Sequence, residues 1–132
     1  MTPSFMLDTD SVSYVLRGQG EVSARMVEHR PSELCISSVT LAQLRYGAGR
    51  RKSAKLHHMI DRFSSIVAVM PFDETCAMHF GQIASDLAER GTPIGDFDAM
   101  IAAHALALEV TLVTNNIKHF NRVRGLNVAN WV

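Results

Sequence analysis

The sequence predicts an α/β domain of three layers, α/β/α, built on a mainly parallel central sheet. Three observations carry that expectation. Short apolar runs recur at Ser4 to Leu7, Leu34 to Ile36, Ile66 to Met70 and Thr111 to Val113, and continuous runs of this kind mark strands covered on both faces. Segments with apolar residues at helical spacing separate them, each long enough to return the chain to the start of a parallel neighbour. Glycine, proline and short polar residues stand at nearly every change between the two patterns. The chain has 132 residues, 47% of them hydrophobic, and neither a repeat nor a low-complexity linker. Residues 1–132 are therefore expected to form a single domain with a continuous core.

In chain order, the first strand ends at Asp8, and Thr9, Asp10 or Ser11 is available to cap a helix carrying Val12, Val15 and Leu16. Gly18 and Gly20 stop that helix. A weaker helix covers about Glu21 to Glu28 and is closed by Pro31. After the second strand, Ser37 to Thr40 turns the chain into a helix with Leu41, Leu44 and Tyr46, ending near Gly47 and Gly49. Ser53 to Ser64 is a clearer helix, with Leu56, Met59, Ile60 and Phe63 on one side. The third strand, Ile66 to Met70, stops at Pro71. Asp73 or Thr75 caps a long helix to Glu89 with Ala77, Phe80, Ile83, Ala84 and Leu87 inward, and Gly91 ends it. A helix from Asp96 to about Leu108 precedes the Thr111 strand, and a brief helical segment reaches Phe120. Leu126 to Val128 is an edge strand, and Trp131 anchors the C-terminus.

Several chemistries lack their residues. Cys35 and Cys76 are too few and too separated for a thiolate zinc site and read as buried thiols. The six histidines show no metal-ligand spacing, so packing or surface roles are expected for most. No G-x-S-x-G elbow, dinucleotide-binding fingerprint or P-loop is present. No apolar run is long enough to span a bilayer, and the N-terminus carries no basic leader, so a cytoplasmic protein without membrane contact is expected. Thirteen basic residues balance thirteen acidic ones, yet Arg45, Arg50, Arg51, Lys52 and Lys55 form a basic block, and Lys118, Arg122 and Arg124 a second. Such runs are ordinarily solvated helix faces, but beside an acidic cluster they suit an approaching phosphate backbone.

The acids supply that cluster. In a doubly wound parallel sheet, ligands bind beyond the C-terminal strand ends where strand order reverses. Asp8 follows the first strand, Ser37 to Gln43 the second, and Thr114 and Asn116 the Thr111 strand, while Asp98 opens the helix that feeds it. Asp96 and Asp98 also read as an ordinary cap and first-turn acid. Brought together, carboxylates repel and hold their protons unless a cation is present. An all-oxygen set suits Mg²⁺, with Mn²⁺ as a substitute, and not zinc.

The motifs Phe5-Met6-Leu7-Asp8-Thr9-Asp10, Ile36-Ser37-Ser38-Val39-Thr40-Leu41-Ala42-Gln43-Leu44-Arg45-Tyr46-Gly47, Gly91 to His104, and Leu112-Val113-Thr114-Asn115-Asn116 with His119-Phe120 occur in this order. Gly125-Leu126 and Asn130-Trp131 follow. Through them the chain resembles the PIN-domain ribonucleases, and among them the VapC-type toxins of bacterial toxin–antitoxin pairs, nearly end to end. The resemblance implies catalytic positions at Asp8, Gln43, Asp98 and Asn116, with metal held by Asp8, Asp98 and, more variably, Asp96. Thr9 and Thr114 would support them, and Arg45, Arg50, Arg51 and Lys52 would meet RNA.

Position 43 departs from the family, which has glutamate there. A carboxamide offers a neutral oxygen and an N–H₂ donor where a cation favours charge, so cation affinity should fall. Thr40 to Gln43 also fits a capping box, with Gln43 reaching back to the helix start. Two readings stay open, a naturally weakened toxin and a deliberately disarmed one.

The resemblance further implies an Mg²⁺-dependent endoribonuclease that cuts structured RNA, with transfer RNA and its initiator species the expected substrates, and so inhibits translation. Its products would carry 5′-phosphate and 3′-hydroxyl ends. It implies a homodimer held inactive by a VapB-type antitoxin, with Val12, Val15 and Leu16 among candidate contacts that core packing explains equally well. A disabled PIN domain that only binds RNA or antitoxin is the alternative. A phosphatase or DNA nuclease would need a nucleophilic aspartate or a DNA-reading element that the sequence does not show.

Overall fold

The structure, a computed structural model, describes residues 2–132; Met1 lies outside them. Five strands form one sheet: β1 (Phe5–Leu7), β2 (Leu34–Ser37), β3 (Ala68–Met70), β4 (Thr111–Val113) and β5 (Val128–Ala129), in the order β3-β2-β1-β4-β5. Every pairing is parallel, with Phe5 beside both Leu34 and Thr111. The sheet is thus wholly parallel. Among the described residues, seven α-helices cover its faces: α1 (Thr9–Arg17), α2 (Val22–Met26), α3 (Ser38–Arg50), α4 (Ala54–Ile66), α5 (Glu74–Glu89), α6 (Asp96–Leu108) and α7 (Ile117–Phe120). A single 3₁₀ turn, Pro31–Glu33, precedes β2.

Alternation along each strand divides the core in two. Met6, Cys35 and Leu112 face a layer of α5, α6 and Phe120, with Ile83, Leu87, Ile101 and Ala102 buried in it. Leu7, Ile36 and Val113 face the opposite layer, where Val12, Val22, Leu44, Ala48, Ile60 and Phe63 come from α1 to α4. Both cysteines are buried free thiols, and burial pushes the Cys35 thiol up to about 12. Trp131 is buried against Phe5, 5.0 Å between ring centres, and stacks on His29 at 5.1 Å, which closes the C-terminus onto β1. Among the described residues, no helix is long and apolar enough to cross a membrane.

Several boundaries differ from the sequence expectation. Asp8 itself, and not Thr9, Asp10 or Ser11, caps α1: its Oδ1 accepts the Ser11 N–H at 2.8 Å. Helix α3 ends at Arg50, beside Gly49 as expected, and passes Gly47 because Leu44 and Ala48 are buried on that face while Tyr46 points to solvent. Each interior glycine costs a helix up to about 1 kcal/mol, less than the burial of the flanking side chains returns. Ile66 is the exposed last residue of α4, so β3 starts two residues later than its apolar run. On α5 the inward stripe begins at Cys76, and Ala77 is exposed. The last strand is Val128–Ala129, set by pairing with Leu112 and Val113.

Candidate active site

Strand order reverses between β1 and β4, and a cavity of about 250 Å³ opens just beyond their C-terminal ends. Asp8, Thr9, Asp10, Gln43, Asp98, Asn116 and Phe120 line it. These residues come from β1–α1, α3, α6 and the β4–α7 turn, so the four separate motifs meet in one place.

Asp8 is the first residue after β1, and its N–H bonds the Val113 carbonyl at 3.0 Å, which joins the two strand ends. Its side chain is 4% exposed. Burial raises its pKa above the usual carboxylate range, although hydrogen bonds from Thr114 and the Ser11 backbone pull the other way. Thr114 is buried, and its Oγ1 also accepts the Asn116 N–H at 3.0 Å, which shapes the turn that brings Asn116 to the cavity. Asp98, the third residue of α6, is half-buried. Desolvation raises its pKa too, opposed by His119 and reinforced slightly by the Asp10 charge.

Gln43 does not close a capping box. Ser37 caps α3 by accepting the Val39 N–H at 3.0 Å, and Gln43 reaches across to α1, where the Thr9 hydroxyl donates to its Oε1. The Thr40 hydroxyl lies 3.3 Å from Thr9 on the same seam. Thr9 therefore orients the carboxamide oxygen and leaves the N–H₂ free to donate.

The remaining candidates scatter. Asp96 is exposed and does not line the cavity, because two residues of helix turn it about 200° from Asp98. Arg45 is committed to α4: it ion-pairs with Asp61 and donates to the His57 carbonyl at 3.2 Å. Arg50 and Lys52 are exposed and line neither the cavity nor its neighbour. Arg51 does border an adjoining groove that shares Thr9 and Gln43 with the acidic cavity.

The sequence reading assigns three further residues no part in the reaction, although Asp10 and His119 fall within its motifs. Asp10 lines the cavity, where it had only a capping role to suggest it. Arg17 lies on the groove with Arg51, hidden in the sequence as one basic residue ending a short helix. His119 sits 3.0 Å from Asp98 through Nε2, and its place three residues after Asn116 was the available signal.

Among the described residues, no three histidine, cysteine, aspartate or glutamate side chains converge to hold an ion. Asp8, Asp10 and Asp98 nevertheless line the cavity with Asn116, and burial raises the pKa of Asp8 and Asp98, so the lining is a hard-oxygen donor set that suits a divalent cation.

Comparison with known proteins agrees with this architecture. The PIN domain family matches residues 5–126. The tRNA(fMet)-specific endonuclease VapC of Salmonella typhimurium is 36% identical over 128 residues, covering 96% of this chain and 97% of the relative. Ribonuclease VapC2 of Haemophilus influenzae is 35% identical over 129 residues, covering 97% and 98%. Among solved structures, DNA-bound VapBC from Salmonella typhimurium superposes with a TM-score of 0.89 at 36% identity, over 99% of this chain and 100% of that one. VapBC2 from Rickettsia felis, bound to a promoter DNA fragment, gives 0.86 at 34%, over 97% and 98%.

Proposed function

This chain belongs to the PIN-domain family, among the VapC ribonucleases, and from that membership we propose that it hydrolyses phosphodiester bonds of structured RNA as the toxin of a toxin–antitoxin pair. The observation that carries this reading is the meeting of Asp8 and Asp98, from two different elements, in one cavity at the switch point of the sheet. Transfer RNA is the substrate class, with the initiator species favoured by the name of the Salmonella relative. A VapB-type antitoxin is the partner, since the structural neighbours are VapBC complexes. A cytoplasmic homodimer completes the proposal.

Each side chain has a task in it. Asp8 and Asp98 would hold Mg²⁺, or Mn²⁺ in its place, with Asn116 contributing its amide oxygen. A cation held there would supply Lewis-acid chemistry, screening charge on the scissile phosphate and favouring the hydroxide form of a nucleophilic water. The Ser11 N–H fixes the orientation of Asp8 by donating to its Oδ1 at 2.8 Å, and the nearby Thr114 hydroxyl favours its charged form. Asp10 adds negative charge to the cavity without a hydrogen bond to either acid. Gln43, oriented by Thr9, presents an N–H₂ donor that suits a phosphate oxygen. Arg17 and Arg51 carry the backbone along the adjoining groove. Asp96 and Arg45 are left without a direct part by their placement.

Gln43 itself favours a second reading, a PIN domain that binds RNA or antitoxin without cutting. Mapping the ends of transfer RNA fragments made by the chain and by its Gln43→Glu form separates the two. New 5′-phosphate ends in Mg²⁺, absent in EDTA, support hydrolysis by this site. Cutting by the Gln43→Glu form alone supports the binding-only reading of the present chain. Cyclic phosphate ends that persist in EDTA would refute the site's role altogether.

A further inference from the structure

His119 lies outside the residues whose spacing or resemblance suggested a role in the reaction, yet its ring joins the pieces that carry Asp98. Its Nε2 stands 3.0 Å from Asp98 Oδ2 and 3.0 Å from the Ile94 carbonyl oxygen. Both neighbours are acceptors, so Nε2 carries a hydrogen whatever the state of the other ring nitrogen. The side chain is 21% exposed and meets Phe120 edge-on at 5.4 Å, which limits its freedom.

The same seam is tied twice more: Arg122 donates to the Pro93 carbonyl at 3.4 Å, and Arg90 donates to the Arg122 carbonyl. The segment around α7 therefore grips the loop that launches α6. Asp98 has little else to hold it. Gly95 supplies no side-chain cap to α6, and Asp98 Oδ1 accepts no hydrogen bond among the described residues.

The geometry points to His119 as a positioning residue: one Nε2–H, shared between the Ile94 carbonyl and Asp98 Oδ2, fixes the carboxylate and leaves Oδ1 for the divalent cation. This rests on the reading of Asp98 as a cation ligand. Hydrogen-bond partners of metal-binding side chains set the orientation of their ligands, and their loss typically costs 10–100-fold in metal affinity or activity. Here the order is a carboxylate ligand held by an imidazole.

The test is Mn²⁺ affinity, read by electron paramagnetic resonance or calorimetry without any RNA. It is run on the chain and on its Gln43→Glu form, each alone and with His119→Phe, His119→Gln or Asp98→Asn. Phenylalanine keeps the ring against Phe120 and removes the donor, whereas glutamine restores an N–H donor at similar reach. We expect His119→Phe to weaken Mn²⁺ binding about tenfold or more, with substantial recovery in His119→Gln. Unchanged or tighter binding in His119→Phe, while Asp98→Asn still loses the ion, overturns the positioning role alone. Equal weakening in both His119 variants overturns it as well, as mere loss of packing. No Mn²⁺ binding in either background, or binding indifferent to Asp98→Asn, sinks the cation-site reading and this inference with it.

Discussion

At the residue scale, Asp8 has two roles that pull in opposite directions. As the cap of α1 it satisfies the Ser11 N–H, and as a carboxylate 4% exposed it suffers from desolvation. Its pKa is raised by folding, so the unfolded chain ionises it more readily. The stability it contributes is complete below the unfolded carboxylate range and is lost as pH rises through the folded value. At pH 7 without a divalent cation, Asp8→Asn should therefore melt higher than the parent, because asparagine still caps and carries no buried charge. The gain should vanish at pH values below the carboxylate range, and thermal melts across pH check both. The same variant should lose cleavage. Asp8 and Asp98 were legible in the sequence because each stands where an element begins, and a strand-end acid and a helix-start acid announce themselves locally. Gln43 with Thr9, and His119 with Asp98, were not. Their partners lie 34 and 21 residues away, and only the packed chain decides them.

Elements were read well where local signals agree with burial and poorly where they conflict. Gly18 lies in the left-handed region at φ 65° and ends α1 as its position suggested. Gly47 carries the same local stop signal, yet α3 passes it and ends only at Arg50, one residue beyond Gly49, since Leu44 and Ala48 are held by the core. A Cβ at Gly49 would meet nothing within 4 Å, and its φ lies outside the positive region. Gly49→Ala should accordingly stabilise the protein by about 0.5–1 kcal/mol through helix propensity and a less flexible unfolded chain. Gly18→Ala should destabilise by at least as much, because alanine resists the left-handed conformation. Denaturant midpoints measure both. Ile66 shows the complementary conflict: its apolar side chain adjoins a strand run and reads as part of it, but the last turn of α4 claims it and leaves it in water.

Over the whole molecule, alternation of strands and helices suffices to give the layers, and the wholly parallel order follows from the helical crossovers that join successive strands. The distribution of charge needed the fold. A chain with thirteen acids and thirteen bases hides both an acidic cavity and a basic groove beside it, formed where Arg17 from α1 and Arg51 from the end of α3 converge. Arg51→Ala should weaken transfer RNA binding and reduce the slope of log affinity against log salt by about 1. Arg45→Ala should leave that slope nearly unchanged, since its guanidinium is already paired with Asp61. Filter binding across salt concentrations distinguishes them. The central claim is that the Asp8–Asp98 cavity cuts RNA with a divalent cation. Its most direct measurement is the rate of initiator transfer RNA cleavage by the Gln43→Glu form, in Mg²⁺ and in EDTA, with and without Asp98→Asn. Cleavage in Mg²⁺ that EDTA or Asp98→Asn abolishes is the expected result. Cleavage that survives both would contradict it.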